Sequence, residues 1–428
     1  MAKLIHSGKK PSREDNTVLI AYKYRLYPDK EQKIFFAKTF GCVRFYWNKA
    51  VELKLKNQSS SVIRPAQLKK EYPFLREIDS MALCNAQLQL EKAFSAWLQG
   101  KAGKPAFKRK KARQSYTTNN IGSRIKVDFD QQTIKLPKLK KPVKAKLHRK
   151  FTGKIKSVTV EKTPTDKYYV SILVEVEKQT LSELARPTSR ICGIDVGLID
   201  YAVIASDNGI RHIPHPKWIK KTEKQIIKLQ RRLAKKQGYR KGEKKSENFE
   251  RLRKRLARLY EKLVNQRKDF LHKLSKAIIS ENQAVVVESL CIKNMQKNPY
   301  LAKAISDSAW SEFIRMVKYK AEWYGRIVIE APTNFPSSKQ CHVCNWKNKE
   351  LKLSERTWKC PVCKTEHQRD ENSSINLYLY GLACLKGGRA GLARTYACGG
   401  SSNGGTASVQ AYELSPVEAG SSTFYKVE

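Results

Sequence analysis

Residues 190–213, RICGIDVGLIDYAVIASDNGIRHI, decide the fold of the second half of the chain. An apolar run reaches Asp195, Gly197 marks a turn, and a second apolar run spans 201–206. Residues 207–209 (DNG) have the composition of a hairpin turn. The stretch therefore predicts three consecutive strands, the first of which ends on an acidic residue.

Two later acidic residues also stand at the ends of predicted elements. Glu288 closes the apolar run QAVVVESL, and Asp370 opens a helical pattern. Together with Asp195 they would converge at one edge of a mixed sheet. Clustered carboxylates repel one another unless hard cations neutralise them, and two Mg²⁺ ions roughly 4 Å apart are the usual solution in phosphodiester hydrolysis. Singly, Asp195 could be a turn residue, Glu288 a strand end and Asp370 a helix N-cap. Jointly they favour an RNase H-like site.

The second motif is a set of four cysteines spaced C-x2-C-x15-C-x2-C, inside the range of tetrahedral zinc sites. Four thiolates leave no open position for a substrate, so we expect a structural Zn²⁺ ion held by Cys341, Cys344, Cys360 and Cys363. The neighbouring His342 and His367 are expected to be surface or hydrogen-bonding residues. The motif alone fits a DNA-binding module, a protein-docking module or a scaffold.

The charge of the chain points to a polyanionic partner. The 428 residues carry 85 Lys and Arg against 39 Asp and Glu, a formal net charge of +46, which is costly through self-repulsion unless a polyanion neutralises it. Nucleic acid fits better than a membrane surface, because no run of about 18 apolar residues exists and the N-terminus lacks a secretory apolar core. We expect an intracellular, cytoplasmic protein with no membrane partner.

One loop has the composition of a nucleic-acid-binding surface. Residues 100–120, GKAGKPAFKRKKARQSYTTNN, mix glycine, basic residues and two aromatic rings that could track a backbone and stack on bases. A merely solvated basic loop is the alternative. The candidate contacts are Lys104, Phe107, Lys108, Arg109, Lys110, Lys111, Arg113 and Tyr116.

The remaining patterns predict a multidomain protein of α/β plus α+β class. Residues 17–27 alternate as a strand, helices follow to about residue 98, and short strands return between 125 and 176. The helices therefore look inserted into a small antiparallel, barrel-like unit. Residues 217–276 form a helical hairpin with 23 Lys and Arg against 6 Asp and Glu, an imbalance that favours phosphate contact over a solvated face.

Several of these stretches resemble the TnpB (OrfB) proteins of insertion sequences, in family order from about residue 20 to 380. Four resemble the successive RuvC-type nuclease and zinc-ribbon motifs, and a fifth resembles the amino-terminal helical motif. The stretches are GIDVGLIDYAVIASDNG (193–209), VVVESLCIKNM (285–295), AISDSAWSEFIRMVKYKAEWYGR (304–326), FPSSKQCHVCNWKN with TWKCPVCKTEHQRDENSSINL (335–348, 357–377), and YKYRLYPDKEQKIFFAKTFGCVRFYWN (22–48).

The resemblance implies an RNA-guided DNA endonuclease related to the type V CRISPR effectors. Such a protein binds a guide RNA derived from the transposon end and cuts complementary double-stranded DNA beside a short flanking motif, with one Mg²⁺-dependent RuvC site. Asp195, Glu288 and Asp370 match the metal-binding catalytic positions, and the four cysteines match the zinc ligands. We expect the residues that read the flanking motif among the first 120, and a monomer is favoured over an oligomer.

The implied domains have the following boundaries. They are an N-terminal extension (1–16), a β-barrel-like wedge domain (17–30 and 115–188), a helical recognition insert (31–114), a RuvC-like nuclease domain (189–335 and 368–385) with the basic hairpin (217–280), a zinc ribbon (336–367) and a disordered tail (386–428). Two alternatives stay open: a transposase that performs strand transfer on the same three acids, and a nuclease-dead, RNA-guided DNA-binding repressor.

Overall fold

The structure is a computed structural model that describes residues 17–56, 61–110, 113–178, 188–236, 246–352 and 354–386. The predicted N-terminal extension, the C-terminal tail beyond residue 386 and the candidate contact Lys111 lie outside these described residues. Within them, every helix is too short or too polar to cross a membrane.

The first half of the chain contains a seven-stranded antiparallel sheet. The strand order is β2-β6-β7-β1-β5-β4-β3, with β1 paired along its whole length to β7 and at its end to β5. Val18, Ile20, Tyr24 and Leu26 point into the core, which places every second residue of β1 inside, except at Tyr22. The strands are β1 Thr17–Tyr27, β2 Gln114–Asn119, β3 Lys126–Asp128, β4 Thr133–Lys135, β5 Val143–Lys146, β6 Lys154–Lys162 and β7 Tyr168–Glu177.

Three helices lie between β1 and β2 and cover the sheet. They are α1 Lys30–Lys56, α2 Pro65–Glu71 and α3 Ser80–Leu98. The sequence predicts helix from about 66 to 98, and the structure divides it, because Pro73 has no N–H to continue α2 and begins a short 3-10 turn, Pro73–Arg76. Phe36 and Tyr46 of α1 are fully buried in one core with strands β1 to β7.

The second half contains a five-stranded mixed sheet with the order β10-β9-β8-β11-β12. The three strands predicted from residues 190–213 are confirmed as an antiparallel meander, and β8 also pairs in parallel with β11, which pairs in parallel with β12. The strands are β8 Ile191–Val196, β9 Asp200–Ser206, β10 Gly209–Pro214, β11 Ala284–Glu288 and β12 Ile327–Ala331.

Helices follow on one face of this sheet. The predicted basic hairpin (217–280) corresponds to two helices, and the second ends at residue 281. The sequence from about 306 to 324 also predicts one helix, and the structure divides it at Ala309, whose φ of 52° is left-handed. The helices are α4 Trp218–Ala234, α5 Glu247–Glu281, α6 Ile292–Met295, α7 Ala302–Ser308 and α8 Trp310–Trp323.

Between β12 and the last helix lies a small unit that we call the cysteine ribbon, residues 336–367. Its two-stranded sheet is β13 Thr357–Lys359 and β14 Glu366–Gln368, of which the last residue lies just beyond the ribbon and leads directly into α9 Arg369–Leu385. Helix α9 packs back on the five-stranded sheet, where Leu377 and Tyr380 meet Val286 and Ile329. The ribbon is therefore an insert between the last sheet strand and a helix that packs on the same sheet.

The two halves meet at Glu261 of α5. Its carboxylate accepts hydrogen bonds from Thr165 Oγ1 (2.9 Å), Lys167 Nζ (3.2 Å) and Tyr169 OH (3.4 Å), which all lie at the turn between β6 and β7. Lys254 adds an ion pair with Asp166 at 2.7 Å. The basic hairpin is therefore attached to the first sheet through side chains of both halves.

Candidate functional site

Two parallel strands deliver two of the candidate acids to the same sheet edge. Asp195 is the fifth residue of β8, and Glu288 is the last residue of β11. Ile194 pairs with Val287, so the two acidic residues follow neighbouring positions on adjacent strands. Asp195 lies inside the strand opposite Val203 and is not a turn residue. The pairing of β8 with β11 therefore places both acids at one edge of the sheet.

The third acid arrives on helix α9. Gln368 caps this helix by accepting a hydrogen bond from the backbone N of Glu371 (2.7 Å), and Asp370 stands in the first turn, so it is not the N-cap. The helix lies against β8 at Gly193, where a Cβ would overlap the backbone of Ser374 and Tyr378. The close approach that glycine allows brings Asp370 to Asp195.

The charges of Glu288 and Asp370 act on Asp195, and the charge of Asp370 also acts on Glu288. Burial, followed by the charges of Glu288 and Asp370, raises the pKa of Asp195 well above its usual range. Burial also raises the pKa of Glu288, against hydrogen bonds from Ser337 and Ser373. Ser373 Oγ donates to Asp195 Oδ1 at 3.2 Å, and Ser337 Oγ donates to Glu288 Oε1. Such a cluster favours a hard cation, since oxygen ligands and negative charge are what Mg²⁺ prefers.

Two basic side chains next to this cluster were not found from the sequence. Arg356 of the cysteine ribbon lies 3.4 Å from Asp370 Oδ1. His212 of β10 lies between two carboxylates, with Nδ1 2.7 Å from Asp200 and Nε2 3.0 Å from Glu371. The hydrogen bond with Asp200, and then that with Glu371, raise the pKa of His212. Neither residue belongs to a sequence pattern, because each contact joins elements that are far apart in the chain.

A groove leads away from Glu288. It has a volume of about 560 Å³ and runs between the segment after β11 and helix α8. Its walls include Cys291, Ile314, Arg315 and Lys318. Lys318 pairs with Glu330 at 2.7 Å, so the groove wall carries both a positive and a negative charge.

The four cysteines meet as their spacing predicts. Their Sγ atoms all lie within 4.8 Å of one another, with Cys341 to Cys363 and Cys344 to Cys360 both at 3.5 Å. A tetrahedral Zn²⁺ ion with Zn–S bonds of 2.3 Å needs sulfur atoms about 3.8 Å apart, so the cluster fits zinc. In the described part of the chain, no three carboxyl or imidazole side chains meet this closely, and Asp195, Glu288 and Asp370 are spread more widely.

The two histidines of the ribbon make hydrogen bonds and are not part of the four-cysteine cluster. His367 is buried, and its Nε2 lies 3.1 Å from Cys341 Sγ. His342 Nδ1 lies 2.9 Å from Asn372 Oδ1 on helix α9. Both therefore make hydrogen bonds, as the sequence predicts.

The basic loop before β2 is fastened to helix α1. Trp47 Nε1 donates to Ala106 O (3.0 Å), and Asn48 exchanges two hydrogen bonds with the backbone of Lys108. Lys108 Nζ lies 3.6 Å from the centre of the Trp47 ring, and burial lowers its pKa. Phe107 is 57% exposed, as a ring that stacks on a base must be.

The other candidate contacts of this loop divide into surface and core. Lys104, Arg109, Lys110 and Arg113 are exposed, and Arg113 pairs with Glu161 at 2.9 Å. The structure places Tyr116 elsewhere: it lies on β2, 5% exposed, packed on Phe36 and Phe40. A ring enclosed by core residues has no free face for a base, so the prediction of Tyr116 as a nucleic-acid contact is wrong.

Three protein-family models match parts of this chain. A family model described as "Probable transposase" (OrfB of IS605) matches residues 171–299, a "Cas12f1-like, TNB domain" model matches 310–377, and a "Helix-turn-helix domain" model of the OrfB family matches 16–57. Within that last segment the structure has strand β1 and the single long helix α1.

Two relatives cover most of the chain. A protein of Streptomyces pristinaespiralis named as an RNA-guided DNA endonuclease is 33% identical over 85% of this chain and 89% of its own length. An Escherichia coli (strain K12) protein with the same type of name is 26% identical over 86% of this chain and 93% of its own length.

A solved structure shares the fold. The cryo-EM structure of a Cas12f1–sgRNA–target DNA complex matches with a TM-score of 0.54 and 14% identity, over 85% of this chain and 99% of that chain. Fold and site thus define a mixed α/β protein similar to the Cas12f effectors, with a four-cysteine cluster beside an acidic sheet edge. The chain belongs to the TnpB (OrfB) family, as the sequence motifs indicate.

Proposed function

We propose that this protein is an RNA-guided DNA endonuclease that hydrolyses phosphodiester bonds at a RuvC-like site formed by Asp195, Glu288 and Asp370. The observation that carries the proposal is the meeting of these three carboxyl groups at one sheet edge. The names of the relatives and the charge of +46 support nucleic acid as both guide and substrate.

The chemistry follows from the ligands that the edge offers. Two Mg²⁺ ions, when bound, would lower the pKa of the attacking water and stabilise the leaving oxygen. Asp195, Glu288 and Asp370 would hold these ions, while the hydroxyls of Ser373 and Ser337 orient the first two carboxylates. Arg356, beside Asp370, would face the phosphate of the cut strand. The groove next to Glu288 would receive the neighbouring nucleotide.

The guide and target would lie on the basic surfaces. The wedge domain (17–30 and 115–188) and the recognition insert (31–114) would hold the guide and the flanking duplex, and the hairpin would add phosphate contacts, since heteroduplexes are gripped by shape and charge. Arg44, Asn85, Gln89 and Thr117 lie together between α1, α3 and β2 and bring guanidinium, amide and hydroxyl groups to one place. Amide and guanidinium groups read base edges, so we place the recognition of the flanking motif there.

The test is cleavage by the protein purified with its own RNA. The small RNA that co-purifies is sequenced, and a plasmid that carries the complementary sequence beside a randomised flank is offered as substrate with Mg²⁺. We expect linear plasmid only when both the complementary sequence and a permitted flank are present. Absence of bound RNA, or cutting that ignores complementarity, would overturn the proposal.

A transposase is the second candidate, because one matching family model has that description. The same three acids could perform strand transfer. The two functions differ in their products: strand transfer joins DNA ends without a guide, whereas guided hydrolysis leaves free ends. A nuclease-dead repressor would bind the complementary plasmid without any cutting.

A further inference from the structure

The first segment of the cysteine ribbon is fastened to helix α9 by two buried asparagines. Asn372 and Asn376, 1% and 3% exposed, lie one turn apart on the helix. Asn376 Nδ2 donates to Ser337 O (2.8 Å) and Gln340 O (2.7 Å), and Asn372 Nδ2 donates to Gln340 O (2.7 Å). Buried amides are costly unless they are hydrogen-bonded, so these bonds fix the segment on the helix.

The far end of this segment is the cysteine cluster. The Oδ1 of Asn372 accepts a hydrogen bond from the backbone N of His342 (3.1 Å), the residue next to Cys341. Cys341 is fully buried, and its own backbone N donates to Trp346 O (2.8 Å) within the turn that carries the first two thiols. The position of Cys341 and the position of the helix are therefore linked through the amide of Asn372 on one side and through Gln340 O on the other.

The near end of the segment reaches the acidic edge. Ser337 is 5% exposed, its carbonyl is held by Asn376, and its hydroxyl donates to Glu288. On the helix, Ser373 makes the corresponding bond to Asp195. One hydroxyl from the ribbon segment and one from α9 thus orient the two carboxylates that the sheet supplies.

We propose that Ser337, Asn372 and Asn376 are positioning residues that transmit the metal-bound state of the cysteine cluster to the orientation of Glu288. The inference rests on the proposed function, because it gives Glu288 a cation to bind. When one oxygen of a carboxylate accepts a hydrogen bond from a hydroxyl held in place, the remaining lone pairs of the carboxylate point in a fixed direction. Loss of such a hydrogen-bond donor behind a metal ligand typically weakens metal binding about 10-fold to 100-fold. Removal of zinc would release the segment and have the same effect as loss of the hydroxyl.

The experiment compares Ser337→Ala with two matched variants in the full chain purified with its guide RNA. Ser337→Thr keeps the hydroxyl, and Ser338→Ala removes the neighbouring one. Mn²⁺ binding is measured by electron paramagnetic resonance, alongside the divalent concentration for half-maximal cutting. We expect Ser337→Ala to weaken Mn²⁺ binding about 10-fold at unchanged zinc content and guide-RNA affinity, with both controls near wild type. Unchanged Mn²⁺ binding in Ser337→Ala would overturn the proposal.

The link itself is tested by combining the variant with zinc removal. Chelation of zinc should weaken Mn²⁺ binding in the wild type but weaken it little further in Ser337→Ala. If zinc removal and the substitution acted independently, their fold-losses of Mn²⁺ affinity would multiply, and this result would contradict the link. Asn376→Ala should behave as Ser337→Ala does, and its thermal unfolding separates a misfolded variant from a misaligned one. Asp195→Ala serves as the reference: if it binds Mn²⁺ as the wild type does, the proposed function fails, and not the role of Ser337.

Discussion

Asp195 is the proposed metal ligand with the most strongly shifted pKa. Its carboxyl is buried between Glu288 and Asp370, so burial and like charges both oppose its ionisation until cations bind. Asp195→Ala should reduce cutting by about three orders of magnitude or more, because metal and water lose a ligand together. Target binding by the same preparation should stay near wild type in a gel-shift assay. Equal loss of cutting and binding would instead make Asp195 a structural residue.

Lys320 gives a stability prediction at the same scale. This lysine of α8 is 6% exposed, donates to His272 O and Ser275 Oγ (2.7 Å each), and burial lowers its pKa to about 8. Because the pKa is lower in the folded chain, the unfolded chain binds more protons above pH 8, and stability rises with pH there. The free energy of unfolding should increase by about 2 kcal/mol between pH 7.5 and 9.5 from this group.

Lys320→Met is the control for this pH effect. The variant has no titrating group at this position, so its unfolding free energy, measured by urea denaturation, should rise less over the same interval. Identical pH profiles for the two proteins would show that Lys320 titrates normally.

Some site residues can be predicted from the sequence, and others cannot because their contacts form only when distant segments fold together. Asp195 and Glu288 end apolar runs, and a strand end is visible in a one-dimensional pattern. The ion pair of Arg356 with Asp370 depends on how the ribbon folds onto α9, which no local pattern records. Tyr116 shows the opposite problem: an aromatic residue among lysines has the composition of a binding loop, but strand pairing of β2 turns its ring into the core.

At the scale of elements, the contact of α9 with β8 sets the site. Gly193→Ala would place a methyl group against the backbone of Ser374 and Tyr378, so the helix must move and carry Asp370 with it. We expect a loss of about 1–3 kcal/mol in unfolding free energy, with a fall in cutting. Gly41→Ala, in helix α1 with open space at its Cβ, should instead stabilise the protein slightly. Equal stability of the two variants would exclude a tight contact.

The cysteine ribbon and the start of α9 cannot move independently, because Asp370 follows Cys363 by only seven residues. Cys360→Ser removes one of four thiolates, so zinc should be lost and cutting should fall about 10-fold or more. Zinc content is measured by elemental analysis and cutting on the complementary plasmid. Cys84→Ser, outside the cluster on α3, is the matched control. Full activity without zinc would make the ribbon peripheral.

Most elements follow from local patterns, and the exceptions have local causes. The alternation of β1 and the spacing of α1 are strong enough to predict both elements with their boundaries. The break at Ala309, where φ is left-handed, has no adjacent glycine or proline that would announce it in the sequence. Strand β5, VKAK, is too short and too polar to be recognised before its neighbours β1 and β4 are known.

For the whole molecule, charge should govern assembly with RNA. Helix α4 exposes Lys228, Arg231 and Arg232 on one open face, opposite its buried Leu229 and Leu233. Replacing these three residues with glutamine should lower the slope of log K against log salt for guide-RNA binding by about 2, at roughly 0.7 per lost phosphate contact. Exchanging Lys for Arg and Arg for Lys at the same positions keeps the charge and should keep the slope. An unchanged slope in the glutamine variant would remove α4 from the RNA surface.

The pairing of β1 with β7 has a consequence for how the protein is made. Thr17 pairs with Glu177, so 160 residues must leave the ribosome before the first strand meets its main partner. At ordinary synthesis rates this takes roughly 10–30 s, during which β1 has an unpaired edge on both sides. Helices α1 to α3 emerge in the interval, and Phe36 and Tyr46 of α1 belong to the same core as β1. Helices α1 to α3 are therefore the first elements that can bury the apolar face of β1, and its two edges wait for β5 and β7.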